Sequence, residues 1–266
     1  MSQYTGVALV TGAASGIGRA TAIAFAQEGC TKISICDRNL LGLQETQTLI
    51  SEISKDVDVL VIEVDMLEES QIDNMVKKTV ERWGRVDYAV NAAGIIGNNA
   101  PSTQTTAAQF DLITNINYRG TWLSSRFEIA QMQTQTPLEW GNGKKRQKVR
   151  GSIVNIASQL GLVGRPDAPA YCASKAAVIA FTRGDSIDYA KDDIRVNCVC
   201  PGVTETPMTQ GEPKFREALK PAIDIAPMKR MGTPEEIADA CLFLCGSGAG
   251  FVCGHALVVD GGYIIN

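Results

Sequence analysis

Residues 6–29 read GVALVTGAASGIGRATAIAFAQEG, and the succession of properties along this stretch decides the fold. Residues 6–10 are a short apolar run bounded by turn residues, which predicts a strand buried in a parallel sheet. Glycines follow at positions 12, 16 and 18. RATAIAFAQEG then repeats its apolar residues at helical spacing and stops at Gly29, a residue type suited to the position just past a helix end. Strand, glycine turn and helix in this order have a physical use. Glycine lets the backbone turn tightly and approach a pyrophosphate, while the free N–H groups and positive dipole end of the helix face its charge. Gly12, Ser15, Gly16, Ile17 and Gly18 are therefore candidate cofactor contacts.

The alternation continues downstream. A second strand, TKISICDRN, carries Asp37 at its C-terminal end, nineteen residues after Gly18. A carboxylate there accepts hydrogen bonds from both hydroxyls of an adenosine ribose and repels a 2′-phosphate, which favours NAD. Arg38 beside it keeps NADP open, since a guanidinium binds that phosphate. Next come a helix over LLGLQETQTLISEI, a third strand VDVLVIEVD ending at Asp65, a helix over EESQIDNMVKKTVERWG, and a fourth strand VDYAV ending in Asn91, Ala92, Ala93 and Gly94. Asp65, followed by Met66, is placed either to hold an adenine amino group or to cap the helix beginning near Glu68. The small residues after the fourth strand either let a cofactor lie flat against the sheet edge or serve close helix packing. This βαβα pattern predicts an α/β protein, a single-domain Rossmann-type doubly wound parallel sheet over residues 1–266 with helices on both faces.

The chain has 266 residues, 45% of them hydrophobic, and a net charge of −4. That size suits one large α/β domain, and the acidic balance argues against a broad basic surface for nucleic acid or anionic lipid. The basic run Lys144, Lys145, Arg146, Lys148 and Arg150 falls in TPLEWGNGKKRQKVR, residues 136–150, whose composition predicts a solvated surface loop. Without a cationic start before a long apolar stretch, and without an apolar run of about 18 residues, no membrane contact is expected and the protein is read as soluble and cytoplasmic. The eight cysteines form no CxxC pair and His255 is the single histidine, so no metal site is expected. Cys198 with Cys200, and Cys241 with Cys245, read as small reduced core residues.

QFDLITNINYRGTWLSSRFEIAQMQ reads as one long helix with Asn115 and Asn117 inside it. Asparagine is a poor helix-interior residue, and Asn117 marks a bend whose freed carbonyl is open to water. After a strand over residues 151–157 comes SQLGLVGRPDAPAYCASK, residues 158–175. Tyr171 and Lys175 are four apart at the start of a long helix, so their side chains leave one face a turn apart. A free phenol titrates near pH ~10 and a neighbouring ammonium lowers that value, so the spacing predicts a proton carrier at Tyr171 tuned by Lys175. Ser158 falls at the C-terminal end of its strand, the edge where open α/β sheets bind ligands.

A further strand, DIRVNCVCPG, closes at Pro201 and Gly202. The Pro-, Gly- and Met-rich stretch after it has two helical patches and reads as a lid over about residues 204–232. Met208, Phe215, Leu219, Ile223, Ile225, Met228 and Met231 in it point either to a fairly bulky apolar ligand or to ordinary packing. Pro234, Glu235 and Glu236 open a last helix, and HALVVDGG supplies a last strand.

These residues together make the chain resemble the short-chain dehydrogenase/reductase family over essentially its whole length. The likeness rests on Thr11 to Gly18 (TGAASGIG), Asn91 to Gly94 (NAAG), Asn117, Ser158, Tyr171 to Lys175 (YCASK) and Pro201-Gly202. The phrasing of RGSIVNIAS, PAYCASKAAV and IRVNCVCPG is most similar to fungal members, many of which act on secondary metabolites. The resemblance implies that Tyr171 is the general acid/base, that Lys175 lowers its pKa and binds the nicotinamide ribose, that Ser158 holds the substrate oxygen and that Asn117 anchors a proton-relay water. It further implies that the backbone of Thr204, where the family commonly has Ile or Val, meets the carboxamide, that Thr206 contacts it through its side chain, and that the chain forms a homotetramer.

The expected activity is hydride transfer between NAD(P) and a secondary alcohol or ketone, a bulky apolar small molecule such as a secondary metabolite. Two other readings stay open. One is a non-reductive or coupled reaction at the same site, an epimerisation, dehydration or cyclisation in natural-product biosynthesis; the other is a non-catalytic cofactor sensor.

Overall fold

The computed structural model describes residues 4–139, 148–211 and 213–265. Its first half alternates β1 (Val7–Thr11), α1 (Gly16–Gln27), β2 (Lys32–Asp37), α2 (Leu40–Ile53), β3 (Asp58–Glu63), α3 (Glu69–Trp83) and β4 (Tyr88–Asn91). The second half runs α4 (Ala107–Thr114), a π-helical turn (Asn115–Gly120), α5 (Thr121–Thr134), β5 (Gly151–Ile156), α6 (Pro169–Tyr189), β6 (Ile194–Pro201), α7 (Pro207–Gln210), α8 (Pro213–Ile225), α9 (Pro234–Cys245) and β7 (Ala256–Val259).

The seven strands form one parallel sheet in the order β3-β2-β1-β4-β5-β6-β7. Every residue of β1, β4, β5 and β6 is buried, which is why these strands read as unbroken apolar runs: both of their faces are covered. Successive side chains go to opposite faces. Ala8 and Val10 join Phe25, Leu43, Ile50 and Ile237 beneath α1, α2 and α9. Leu9 joins Ile72, Met75, Leu123 and Met132 beneath α3 and α5. Full burial of each such large side chain contributes roughly 1.5–3 kcal/mol. The strand order reverses between β1 and β4, and the crevice that opens there at the C-terminal edge is where this class of sheet takes ligands.

Several local expectations are revised. The long helix predicted around Asn117 is two α-helices joined by the π-helical turn Asn115–Gly120, so the bend is a register change in the helix. The Asn117 carbonyl there accepts from Thr121 Oγ1 at 2.8 Å. Asp65 does not cap α3, whose N-cap is Glu68; its Oδ1 accepts from Leu67 N–H at 2.9 Å and so shapes the turn ahead of the helix. Most of the lid stretch is helical, as α7 and α8. Of the predicted surface loop 136–150, residues 140–147 lie outside the described residues. Its two ends meet through an antiparallel Leu138–Val149 bridge and a 2.6 Å Glu139–Lys148 ion pair.

Candidate active site

The glycine turn after β1 needs glycine for two different reasons. Gly12 and Gly16 take φ values of +68° and +53°, a region that L side chains rarely occupy. Gly18 has ordinary backbone angles, but a Cβ on it would collide with the Gly12 carbonyl oxygen. Helix α1 can therefore approach β1 closely. Its N-cap, Ser15, makes no side-chain capping bond, which leaves first-turn N–H groups facing the crevice as an anion site.

That crevice encloses about 340 Å³ and runs along the sheet edge from Asp37, Arg38, Asp65 and Met66, past Gly12, Ser15, Gly16, Ile17 and Gly18, to Ala92, Ala93 and Gly94. Asp37 Oδ2 accepts from Ala14 N–H at 3.2 Å and Oδ1 from Asn39 N–H at 3.0 Å. Each carboxylate oxygen has a further lone pair for a ligand hydroxyl, and the two bonds fix its position relative to the glycine turn. Arg38 is exposed at the rim. Thr11 Oγ1 accepts from the N–H groups of Ala92 and Ala93 at 3.1 and 3.3 Å, tying the NAAG shelf to β1. Asn91 is the exception among the predicted contacts. Its side chain does not line the crevice; it is buried in the core, where Nδ2 donates to Glu128 Oε2 and Asn155 Oδ1, because the next residue along, not this one, starts the shelf.

Gly94 marks the end of the crevice nearest the chemistry. A Cβ there would lie 3.2 Å from Asn117 Oδ1 and 3.4 Å from Lys175 Nζ, so glycine keeps the space above that amine clear. At this point the crevice joins a second cavity of about 120 Å³, whose wall carries Ser158, Tyr171, Lys175, Pro201, Gly202 and Thr204. Thr206 and Met208 line both cavities, and Thr206 overhangs Gly16. The methyl of Thr206 lies 3.1 Å from where a Gly16 Cβ would be.

Each catalytic candidate is held by a separate element. Ser158 follows β5 and caps a short turn, its Oγ accepting from Leu160 N–H at 3.1 Å, and it shares the cavity wall with Tyr171. Lys175, 4% exposed, extends along α6 and donates from Nζ to the Ile156 carbonyl at 2.8 Å. Asn117 is fully buried and bonds the main chain of Ile95 in both directions, as well as Ser174 Oγ at 3.1 Å.

The expected tuning of Tyr171 by Lys175 is corrected. Burial pushes the phenol above its ordinary range, and the neighbouring Ser158 hydroxyl and the Arg165 charge only partly oppose it. Lys175 is itself pushed down to about 8 by burial, and its Nζ is turned to Ile156, 5.9 Å from the Tyr171 ring centre. Desolvation thus outweighs a charge that is both weakened and aimed elsewhere. In this state the phenol carries its proton at neutral pH.

Of the lid side chains, Met208, Phe215 and Leu219 line the reacting cavity, whereas Ile223 and Met228 line a separate pocket behind it with Gln159 and Tyr263. Two neighbours of the site escaped the sequence reading. Ser174 supports Asn117, with no signal beyond its place inside YCASK. Arg165 reaches the cavity wall, and its signal was a lone cation between Ser158 and Tyr171.

A phosphate-cradling turn whose crevice runs into a serine–tyrosine–lysine cavity defines a dinucleotide-dependent oxidoreductase. The comparisons agree: the family model described as enoyl-(acyl carrier protein) reductase matches residues 12–264, and the chain belongs to the short-chain dehydrogenase/reductase family, NAD(P)-using oxidoreductases acting on CH–OH and C=O groups. It is 36% identical to a short-chain dehydrogenase of Penicillium roqueforti over 98% of this chain and 96% of that one. It is 38% identical to the 2-(R)-hydroxypropyl-CoM dehydrogenase of Xanthobacter autotrophicus over 97% of this chain and 98% of that one. The crystal structure of a levodione reductase superposes with a TM-score of 0.88 at 35% identity, covering 97% of this chain and 98% of the other. Among the described residues no helix is long and apolar enough to cross a membrane, and no group of three His, Cys, Asp or Glu side chains is placed to hold a metal ion.

Proposed function

We propose that the protein reduces a ketone on a fairly bulky, largely apolar small molecule, with NAD as the preferred cofactor. The observation that carries this reading is the placement of Ser158 and Tyr171 together on the wall of a cavity that opens onto the crevice beside Gly94 and Lys175. The crevice fits a dinucleotide by its donor set: first-turn amides of α1 for the pyrophosphate, Asp37 for the adenosine ribose, Asp65 and Met66 for the adenine, and Ala92 to Gly94 with Lys175 for the nicotinamide ribose. Thr204 and Thr206, with Pro201 and Gly202, border the carboxamide end. The bound nicotinamide supplies the hydride.

The chain's own part is to hold an oxygen and deliver a proton. The Ser158 hydroxyl donates to the substrate carbonyl oxygen, and Tyr171 gives its proton to that oxygen as negative charge develops on it. A phenol kept protonated by burial is suited to act as the acid. Lys175, with two N–H donors beyond the one given to Ile156, orients the ribose, and Asn117 keeps the Ile95 main chain and the shelf before it in place. Residues 1–266 are read as one dinucleotide-binding domain with a lid over residues 204–232, acting in the cytoplasm as a homotetramer. The apolar side chains Met208, Phe215 and Leu219 support a bulky substrate, such as a secondary metabolite.

Tyr171→Phe tests the assignment. Ketone reduction should be abolished while fluorescence titration shows cofactor bound as before; near-full activity would refute the role. The same titration with NADH and NADPH tests the cofactor, and tighter NADPH binding would overturn the preference.

A further inference from the structure

Apart from its catalytic groups the reacting cavity is lined by apolar side chains and a few neutral polar ones, Gln159, Thr204, Thr206 and Thr209, and by one further cation. Arg165 lies in the loop between Ser158 and α6, half-buried on the cavity wall. Its Nη2 donates to Asn99 Oδ1 at 2.5 Å, across the cavity mouth. Its guanidinium stands 5.7 Å from the centre of the Phe215 ring on the lid helix α8. Its Nε is buried and meets no acceptor. Among the described residues no Asp or Glu forms an ion pair with it.

A buried N–H of a guanidinium is costly to leave without an acceptor, and here the amide oxygen meets Nη2 and the aromatic face lies against the group while Nε stays unmet. Asn99, which offers its oxygen, has a left-handed φ of +45°, a conformation asparagine adopts more readily than most side chains. A guanidinium is also a planar fork built to grip carboxylate-like groups with two parallel hydrogen bonds. The missing partner belongs on the substrate.

The structure assigns Arg165 as the specificity-determining residue for a ketone, or its alcohol, that carries an anionic oxygen group, of which a carboxylate is the simplest form. The reacting oxygen sits on Ser158 and Tyr171, the intervening skeleton among Leu160, Met208 and Leu219, and the anion on Arg165 beneath Phe215. Arg165 stands on the same cavity wall as Tyr171, close enough for its charge to favour the phenolate. Neutral ketones of the same bulk leave the guanidinium unpaired and bind less well. This inference rests on the ketone-reductase reading above but is separable from it by experiment.

The test uses the full-length protein with NAD present, and 3- and 4-acetylbenzoate with their methyl esters as probes. Calorimetric titration should show at least one acid binding roughly ten- to hundredfold more tightly than its ester. That preference should fall to near one in Arg165→Met and partly survive in Arg165→Lys, which keeps the charge without the fork, with melting curves confirming that both variants fold. Equal binding of acids and esters by the unaltered protein, or a preference unchanged in Arg165→Met, overturns the assignment. Reduction of the same compounds by NADH and NADPH is followed separately. Discrimination in binding with no reduction counts against the reductase reading and leaves this one standing; reduction without discrimination does the reverse.

Discussion

Asn117 and Ile95 are joined by two hydrogen bonds running in opposite directions: Nδ2 donates to the Ile95 carbonyl and Oδ1 accepts from the Ile95 N–H, both at 2.8 Å. A side-chain amide here imitates a strand neighbour for a loop that has none. The π-helical turn brings it into register, consistent with the frequent placement of such turns at functional sites. Asn117→Ala would leave two main-chain groups without their partner and should lower stability by about 2–4 kcal/mol, read from urea unfolding, with ketone reduction falling alongside. A loss within experimental error would show that the loop is held by something else.

Glu128 lies fully buried on α5 with Oε2 accepting from Asn91 Nδ2, while Glu128 Oε1 and Asn91 Oδ1 both lack a partner. A proton on the carboxyl removes the charge that burial disfavours, and burial pushes this carboxyl up to about 8. The folded state then holds a proton that the unfolded chain releases near pH ~4.3. Stability should be greatest below that value and decline as pH rises toward 8. Glu128→Gln, which mimics the neutral acid, should fold normally and flatten this decline in melting temperature against pH. An unchanged slope in the variant would show that another group causes it.

Lys175 gives the site a second pH response. Burial, opposed by the nearby thiols of Cys200 and Cys198, brings it down to about 8, so in the free protein its charge is lost as pH rises through that region. NADH affinity, followed by fluorescence, should weaken across the same region, and Lys175→Met should bind weakly and without that step. Proton donation by Tyr171 should persist to higher pH, since burial raises the phenol. A single step lost in Tyr171→Phe but kept in Lys175→Met would reverse these assignments.

Asp37 is anchored to both the glycine turn and the start of α2, so its charge is presented at a fixed place. A 2′-phosphate a few ångströms away would be repelled by about 1–4 kcal/mol. Asp37→Ala should shift the NADPH-to-NADH dissociation-constant ratio at least about tenfold toward NADPH, with Arg38 then unopposed at the rim. An unchanged ratio would remove Asp37 from the account of cofactor choice.

What could be read in the sequence was what depends on local spacing. The seven strands, the turn at Gly12 to Gly18 and the edge positions of Asp37 and Ser158 follow from periodicity and from glycine's backbone freedom. What escaped depended on tertiary burial. The i, i+4 spacing placed Tyr171 and Lys175 on one helix face but could not tell that Nζ would turn to Ile156, nor that desolvation would dominate both groups. The full burial of Glu128 leaves no mark in the sequence and comes only from laying α5 on the sheet. Asn91 belonged to a recognisable motif, yet its side chain serves the core. Arg165 sat in a loop whose path no pattern predicts.

The two ends of the stretch over the cavity are clasped together. Glu205 N–H donates to the Gly232 carbonyl at 2.9 Å and Gly232 N–H to the Val203 carbonyl at 2.9 Å, and Thr204 bridges Gly232 in parallel. The main chain leaves and re-enters the body of the protein at one stitch, so its contents can be lengthened, shortened or exchanged while the strands below stay in register, at a closure cost that grows only logarithmically with length. Evolution can thus rewrite which molecules are admitted without touching the machinery that reduces them.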